Sequence, residues 1–126
     1  MWTGIAISDV SCTFARPLTA IGTEGLSEFL TTLLRNEEIG MVVMGHPLTM
    51  KGTASEQTLL VEKQFDILRE QFSQVTWCLW DERFSSKQAA SMGTRKNKEE
   101  RLREQARTAA VILSSYLDYY QATQAQ

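Results

Sequence analysis

The 126-residue sequence has only two cysteines, Cys12 and Cys78, and a single histidine, His46. Two isolated thiols cannot build a disulfide scaffold, and no Cys-x-x-Cys or Cys/His spacing typical of a zinc site occurs. No apolar run approaches the roughly 20 residues that a membrane helix requires, so no membrane association is expected. The first residues also lack the charged and apolar stretches of a secretion signal. We therefore expect a reduced, cytoplasmic protein.

The composition is that of an ordinary globular protein. Hydrophobic residues make up 43% of the chain and charged residues 22%, which supplies enough apolar material for one core. A length of 126 residues fits one domain better than two. The sequence therefore predicts a single domain over residues 1–126.

The formal net charge of −2 hides an uneven distribution along the chain. Residues 1–82 carry five Lys or Arg against eleven Asp or Glu, whereas residues 83–107 carry eight basic residues against three acidic ones. The eight are Arg83, Lys87, Arg95, Lys96, Lys98, Arg101, Arg103 and Arg107. Such a basic segment can attract a polyanion. Charge alone favours the alternative, a solvated helix face stabilised by ion pairs.

Short apolar segments alternate with helical patterns along the chain. The predicted strands are residues 4–9, 14–21, 41–45 and 75–80. Three predicted helices begin near residues 24, 55 and 85, and a fourth, the longest, covers about 99–120. This alternation predicts a mixed sheet with parallel pairs, flanked by helices. The continuous apolar run at 41–44 is typical of a strand buried on both faces. In such sheets, sites form at the carboxyl ends of strands, here after Gly45 and at residues 81–83.

Asp81, Glu82 and Arg83 follow the last predicted strand directly. Because side chains alternate along a strand, we expect Asp81 and Glu82 to face opposite ways, so that only one enters a given site. Carboxylates suit Mg²⁺ or Mn²⁺, and phosphodiester cleavage commonly uses metals held in this way. In the alternative interpretation, Asp81 caps the next helix and Glu82 pairs with Arg83.

The loop at residues 45–54 leads into a helix that Ser55 or Thr53 could cap. The backbone N–H groups of a helix N-terminus can receive a phosphate, although the spacing of a P-loop is absent. His46 is either a general acid or base, or a structural residue. Three tryptophans are candidates for base stacking or for the core: Trp2, Trp77 and Trp80.

Five segments, in order, together resemble the YqgF/RuvX family. They are residues 4–9 (GIAISD), 15–21 (ARPLTAI), 45–53 (GHPLTMKGT), 81–86 (DERFSS) and 109–118 (AAVILSSYLD). In the third, Thr49 and Lys51 stand where Asn and Asp are usual. The family consists of small bacterial proteins with an RNase H-like fold. They are described as Holliday junction resolvases and as nucleases that mature the 5′ end of pre-16S rRNA.

The resemblance implies a metal-dependent nuclease that uses Mg²⁺ or Mn²⁺. Glu82 would be a metal ligand and catalytic residue, with Asp81 beside it. The substrate would be pre-rRNA, with branched DNA as the alternative. Phosphates would contact the basic segment through Arg83, Arg95, Lys96, Lys98 and Arg101.

Two departures from the family pattern concern its carboxylates. The family's first strand carries an Asp, but only three residues stand before Gly4, so we expect an RNase H-like sheet without that strand. Gln105 stands at the position of the third carboxylate, and its amide oxygen brings no negative charge to a metal. Glu104 lies about 100° around the helix and is an imperfect substitute. These departures leave open either a start upstream of Met1 or a catalytically impaired nucleic-acid-binding or ribosome-assembly module on the same fold.

Overall fold

The computed structural model describes residues 2–84 and 97–124, apart from the side chains of Trp2 and Phe84. Its elements are β1 (Trp2–Ser8), β2 (Ala15–Gly22), α1 (Leu26–Asn36), β3 (Met41–His46), α2 (Glu56–Gln71), β4 (Thr76–Asp81) and α3 (Lys98–Gln124). Single 3-10 turns precede α1 and follow β4. The predicted order of strands and helices is confirmed, and no helix in these ranges is long and apolar enough to cross a membrane. The helix expected near residue 85 lies outside the described residues.

The chain divides into two units, residues 1–26 with 85–126, and residues 27–84. In the first unit, β1 pairs antiparallel with β2, and a bulge between Ile5 and Ala6 brings Ala6 opposite Pro17. Proline has no backbone N–H to donate to a neighbouring strand, and strands therefore tolerate it beside a bulge. Helix α3 packs on both strands and buries Ala106, Tyr116 and Leu117.

Gly4 is the point of closest approach between β1 and α3. A Cβ atom at Gly4 would lie 2.0 Å from the carbonyl oxygen of Gln105, a distance that no side chain can occupy. At the other end of β1, the Asp9 carboxylate closes the turn to β2 by accepting the N–H groups of Thr13 and Phe14, both at 2.8 Å. A hydrogen bond from the Ser11 hydroxyl, together with these two N–H groups, lowers the pKa of Asp9 to about 2.

In the second unit, β3 pairs parallel with β4, with Met41 opposite Thr76 and His46 opposite Asp81. The core of this unit is formed by Leu30 of α1 and by Phe65, Leu68 and Phe72 at the predicted helical spacing of α2. The indole of Trp77 packs edge-on against Phe65 at 6.0 Å and donates to the Phe72 carbonyl at 2.8 Å.

The apolar run of β3 is less buried than predicted. Val42, Val43 and Met44 are only half-buried, whereas a strand covered on both faces was expected. Within residues 2–84 and 97–124, β3 is hydrogen-bonded to β4 alone, so it lacks a neighbour on its other edge. An edge strand keeps part of its surface in solvent, which accounts for the difference.

Ser55, and not Thr53, caps α2. The Ser55 hydroxyl accepts the N–H of Thr58 at 3.3 Å, and the Thr58 hydroxyl accepts the N–H of Ser55 at 2.9 Å. This reciprocal pair satisfies two donors at the helix start. Thr58 is fully buried, and its hydroxyl also donates to the carbonyl of Pro47. The capping box therefore ties the loop after β3 to the first turn of α2.

The α/β class with mixed strand pairing is confirmed, and it agrees with the expected RNase H-like fold. One pair of strands is antiparallel and the other is parallel, and helices cover them. No strand in the described part of the chain is hydrogen-bonded to both β1 and β3, so the two pairs form separate two-stranded sheets. The single domain expected over residues 1–126 stays a prediction.

Candidate functional site

The candidate site lies at the carboxyl ends of β3 and β4. In the parallel register Gly45 stands opposite Trp80, and His46 opposite Asp81. The two strands therefore bring together residues that are more than thirty positions apart in the sequence. Glu82 follows β4 immediately, in a 3-10 turn.

Glu82 lies against Gly45. A Cβ atom at Gly45 would be 2.9 Å from Glu82 Oε2, so the absence of a side chain there makes room for the carboxylate. Burial raises the pKa of Glu82 above its ordinary value, the negative charge of Asp81 raises it further, and His46 opposes the shift. Among the described residues, no hydrogen bond stabilises the ionised form of this carboxylate. Glu82 is therefore a half-buried acid that a cation or a proton would stabilise.

Asp81 has different surroundings, because it binds the Arg83 guanidinium. Arg83 donates from Nη2 to Asp81 Oδ2 at 2.7 Å and from Nε at 2.9 Å, and the Arg83 backbone N–H donates to Oδ1 at 2.9 Å. These bonds hold the pKa of Asp81 below its ordinary value. The alternative in which Glu82 pairs with Arg83 is therefore wrong. Asp81 thus accepts the Arg83 N–H within the 3-10 turn after β4, whereas the helix that it was expected to cap lies outside the described residues.

Arg83 also supports the loop that follows β3. Its Nη1 donates to the Met50 carbonyl at 3.4 Å, and its guanidinium lies where a side chain at Gly52 would be, 3.0 Å from an ideal Cβ. Gly52 has a positive φ of 84°, which favours glycine. Arg83 was predicted to bind phosphate; in the structure its guanidinium joins Asp81 to this loop.

His46 is the last residue of β3, one position beyond the predicted strand end, and it is paired with Glu62 of α2. His46 Nε2 lies 2.7 Å from Glu62 Oε2, and the two side chains are 20% and 41% exposed. This contact favours the structural interpretation of the lone histidine. Sequence reasoning missed Glu62, because a partner sixteen positions away on a helix leaves no local signal.

The loop at residues 45–54 uses its own backbone donors. The Thr49 N–H donates to the Thr53 carbonyl at 2.9 Å, and the Gly52 N–H donates to the Thr49 carbonyl at 2.8 Å. The Thr53 N–H donates to the Thr49 hydroxyl at 3.1 Å. Ser55 and Thr58 satisfy each other as well, so several of the donors in this loop and at the start of α2 are bonded within the chain.

The basic residues of α3 do not share one face. Arg101 lies about 40° around the helix from Gln105, one turn away. Arg103 lies about 160° from Arg101, and Arg107 is on the same side of the helix as Arg103. Arg103 is 3.8 Å from Glu99, an exposed intrahelical pair of the kind expected for a solvated face. Lys98 is exposed at the start of α3. Arg95 and Lys96, also predicted to bind nucleic acid, lie outside the described residues.

Comparison with known proteins agrees with the resemblance seen in the five segments. A family model described as "RuvX: Holliday junction resolvase" matches residues 1–119. The chain belongs to the RuvX family. It is 36% identical over 121 residues to a Rubrobacter xylanophilus protein named "Putative pre-16S rRNA nuclease", covering 94% of this chain and 86% of that protein. A Chlorobaculum tepidum protein of the same name is 35% identical over 120 residues, covering 91% and 84%.

Of the predicted site residues that the structure describes, Glu82 is the one left as a candidate metal ligand. Glu82 fits a divalent cation, because it is a half-buried carboxylate beside a second negative charge. Asp81 is bonded to Arg83, and His46 to Glu62. Within residues 2–84 and 97–124, no group of three or more His, Cys, Asp or Glu side chains is placed to hold a metal ion. A complete metal site would need further donors besides Glu82.

Proposed function

We propose that this RuvX-family chain is a nuclease that hydrolyses phosphodiester bonds, with Glu82 in its active site. The observation that supports this most directly is the Glu82 carboxylate, held at the carboxyl end of β4 over Gly45 with no hydrogen-bond donor from the described residues. Such a carboxylate is positioned by the turn that follows a rigid strand, and no basic side chain in residues 2–84 and 97–124 forms an ion pair with it. Asp81 then acts as a positioning residue, through Arg83 and the loop at Met50.

We further propose that Glu82 is one ligand of Mg²⁺ or Mn²⁺. A divalent cation supplies Lewis-acid stabilisation of a phosphodiester and activation of water when it is bound. The contribution of the protein is the orientation of Glu82 by Gly45 and a nearby negative charge at Asp81 that favours cation binding. Gln105, which stands at the position of the family's third carboxylate, is an amide and brings no negative charge to a metal.

The proposed substrate is pre-16S rRNA, because relatives with about one third identity are named "Putative pre-16S rRNA nuclease". The family resemblance points to the 5′ end of this precursor. Branched DNA is the alternative, suggested by the description of the family. A role in rRNA maturation would place the protein in ribosome biogenesis in the cytoplasm. The basic segment, including Lys98 and Arg101, would contact the phosphate backbone.

The test compares Glu82→Gln with Glu70→Gln. Both variants lose one carboxylate, but Glu70 is an exposed residue of α2 away from the strand ends. Purified protein is incubated with a 5′-extended 16S rRNA precursor and with a four-way DNA junction, in Mg²⁺, Mn²⁺ or EDTA. We expect metal-dependent cleavage by the wild type and by Glu70→Gln, and none by Glu82→Gln. Equal cleavage by both variants would remove Glu82 from the mechanism.

A second candidate function is a non-catalytic nucleic-acid-binding or ribosome-assembly module on the same fold. It is favoured by Gln105 at the family's third carboxylate position and by the lack of a three-residue metal cluster in the described part of the chain. It predicts salt-dependent RNA binding without cleavage, weakened by Arg101→Glu but not by Arg35→Glu on α1. Robust metal-dependent cleavage by this chain would exclude it.

A further inference from the structure

Lys51 lies in a tight turn of the loop that follows β3. The Gly52 N–H donates to the Thr49 carbonyl at 2.8 Å, so Met50 and Lys51 are the two central residues of this turn. Lys51 is exposed there. The turn therefore presents a lysine to solvent on a backbone that its own hydrogen bonds hold in place.

Both chain neighbours of Lys51 lie against the Arg83 guanidinium. Arg83 Nη1 donates to the Met50 carbonyl at 3.4 Å and would be 3.0 Å from a Cβ atom at Gly52. The same guanidinium is bonded to Asp81, the last residue of β4. One side chain thus joins the backbone on either side of Lys51 to the strand end where the candidate site lies.

Lys51 is a basic residue near the candidate site that has no ion-pair or hydrogen-bond partner in residues 2–84 and 97–124. The second unit is acidic overall, with five Lys or Arg against nine Asp or Glu. Two of the five, Arg69 and Arg83, are in ion pairs. Arg35 lies in the last turn of α1, before the amino end of β3, and Lys63 lies in the interior of α2. Lys51, by contrast, follows the carboxyl end of β3, where Glu82 is held.

We propose that Lys51 binds a backbone phosphate of the nucleic acid substrate, beside the phosphodiester that is cleaved at Glu82, and that Arg83 holds the lysine in this place. The inference rests on the proposed nuclease function. A polyanion that approaches an acidic unit needs a local cation to bind, and a lysine carries one on a flexible stem with three donors. Because Arg83 and Asp81 stand between Lys51 and Glu82, the lysine serves a neighbouring phosphate and not the reacting one. RNA and DNA both carry such a phosphate, so the contact does not depend on base sequence.

Three variants test this contact by binding. Lys51→Gln removes the charge, Lys51→Arg keeps it, and Arg35→Gln removes an exposed positive charge before the amino end of β3. Fluorescence anisotropy in EDTA would measure the binding of a labelled 16S rRNA precursor and of a labelled four-way DNA junction over a series of KCl concentrations. Far-UV circular dichroism would establish that the variants are folded.

For each nucleic acid that the wild type binds, Lys51→Gln should raise the Kd about fivefold at low salt. It should also reduce the slope of log Kd against log [KCl] by about 0.7–0.9, the loss of one phosphate contact. Lys51→Arg and Arg35→Gln should keep the Kd within about twofold of the wild type. The inference is refuted if Lys51→Gln binds as well as the wild type, if Arg35→Gln loses as much, or if the wild type binds neither nucleic acid.

Arg83→Lys tests whether Arg83 is the positioning residue for Lys51. A lysine can still pair with Asp81, but its ammonium does not reproduce the planar fork that also contacts the Met50 carbonyl. In the Arg83→Lys background, Lys51→Gln should therefore raise the Kd by no more than about twofold, because the loop is no longer held to the strand end. A fivefold effect in both backgrounds would contradict the role of Arg83.

Cleavage kinetics separate this inference from the nuclease proposal. If the wild type cleaves, Lys51→Gln should raise KM about fivefold and leave kcat within about twofold, because the contact is equally strong in the ground state and the transition state. A fall in kcat with an unchanged KM would assign Lys51 to the reacting phosphate and overturn the inference. Binding that depends on Lys51, without cleavage by the wild type, would refute the nuclease proposal and still support the phosphate contact.

Discussion

Replacing Gly4 with alanine should destabilise the protein, although a Gly to Ala change within a strand normally does the reverse. The added Cβ atom would lie 2.0 Å from the Gln105 carbonyl oxygen, 2.5 Å from its carbon and 3.1 Å from the Ala106 nitrogen. All three are backbone atoms of α3, so no side-chain rotation can relieve the overlap. Either α3 or β1 must move by about 1 Å to restore van der Waals contact.

The size of the effect follows from two opposing terms. Removing the flexibility of glycine from the unfolded chain stabilises by about 0.4–1 kcal/mol where the new side chain fits. Overpacking in a rigid contact costs about 1–3 kcal/mol, and a backbone contact falls at the upper end of this range. We expect a net loss of about 2 kcal/mol in the free energy of unfolding, equivalent to about 4–8 °C in Tm for a chain of this length.

Gly40→Ala is the matched control for this prediction. No atom lies within 4 Å of an ideal Cβ at Gly40, and its φ is not in the positive range, so only the gain from the unfolded chain remains. Urea unfolding followed by circular dichroism would compare wild type, Gly4→Ala and Gly40→Ala. A Gly4→Ala variant within about 0.5 kcal/mol of the wild type would refute the close approach of α3 to β1.

Three further predictions concern the second unit. Gly45→Ala should displace the flexible Glu82 carboxylate and lower cleavage about a hundredfold, while the free energy of unfolding changes by less than about 1 kcal/mol; an unchanged cleavage rate would contradict the geometry. Glu82→Gln should raise the free energy of unfolding at pH 7, measured in urea titrations, because folding raises the pKa of Glu82 and so penalises its charged form. This gain in stability should vanish as the pH falls below the ordinary pKa of the carboxyl group. Thr58→Val should cost about 1–3 kcal/mol of unfolding free energy by leaving the Pro47 carbonyl without its donor, whereas Thr32→Val on the surface should change it by less than about 0.5 kcal/mol.

The secondary structure could be predicted well because it depends on local pattern. The stripe of Phe65, Leu68 and Phe72 marked α2, and Ser55 was one of two candidates for its cap. The burial of β3 could not be predicted in the same way. An apolar run indicates what a strand could bury, but its actual exposure depends on how many neighbours the sheet supplies.

The candidate site could be predicted as a place, but not as a set of contacts. The strand-end position of Glu82 follows from the order of the elements. The order of the elements does not tell whether Asp81 or Glu82 pairs with Arg83, because both carboxylates are within two residues of Arg83 in sequence. The contact of Arg83 with Met50, thirty-three positions earlier, has no local signal either.

The sequence by itself determined the family, the order of the elements and the residue types available for chemistry, including Gln105 where the family has a carboxylate. These follow from periodicity, spacing and identity, which are properties of neighbouring residues. Only the tertiary structure decided that Glu82 is free of the Arg83 pair, that Glu62 engages His46, and that α3 closes on Gly4. The physical reason is that such pairings depend on distances between segments far apart in the chain, which chain folding sets and local pattern does not encode.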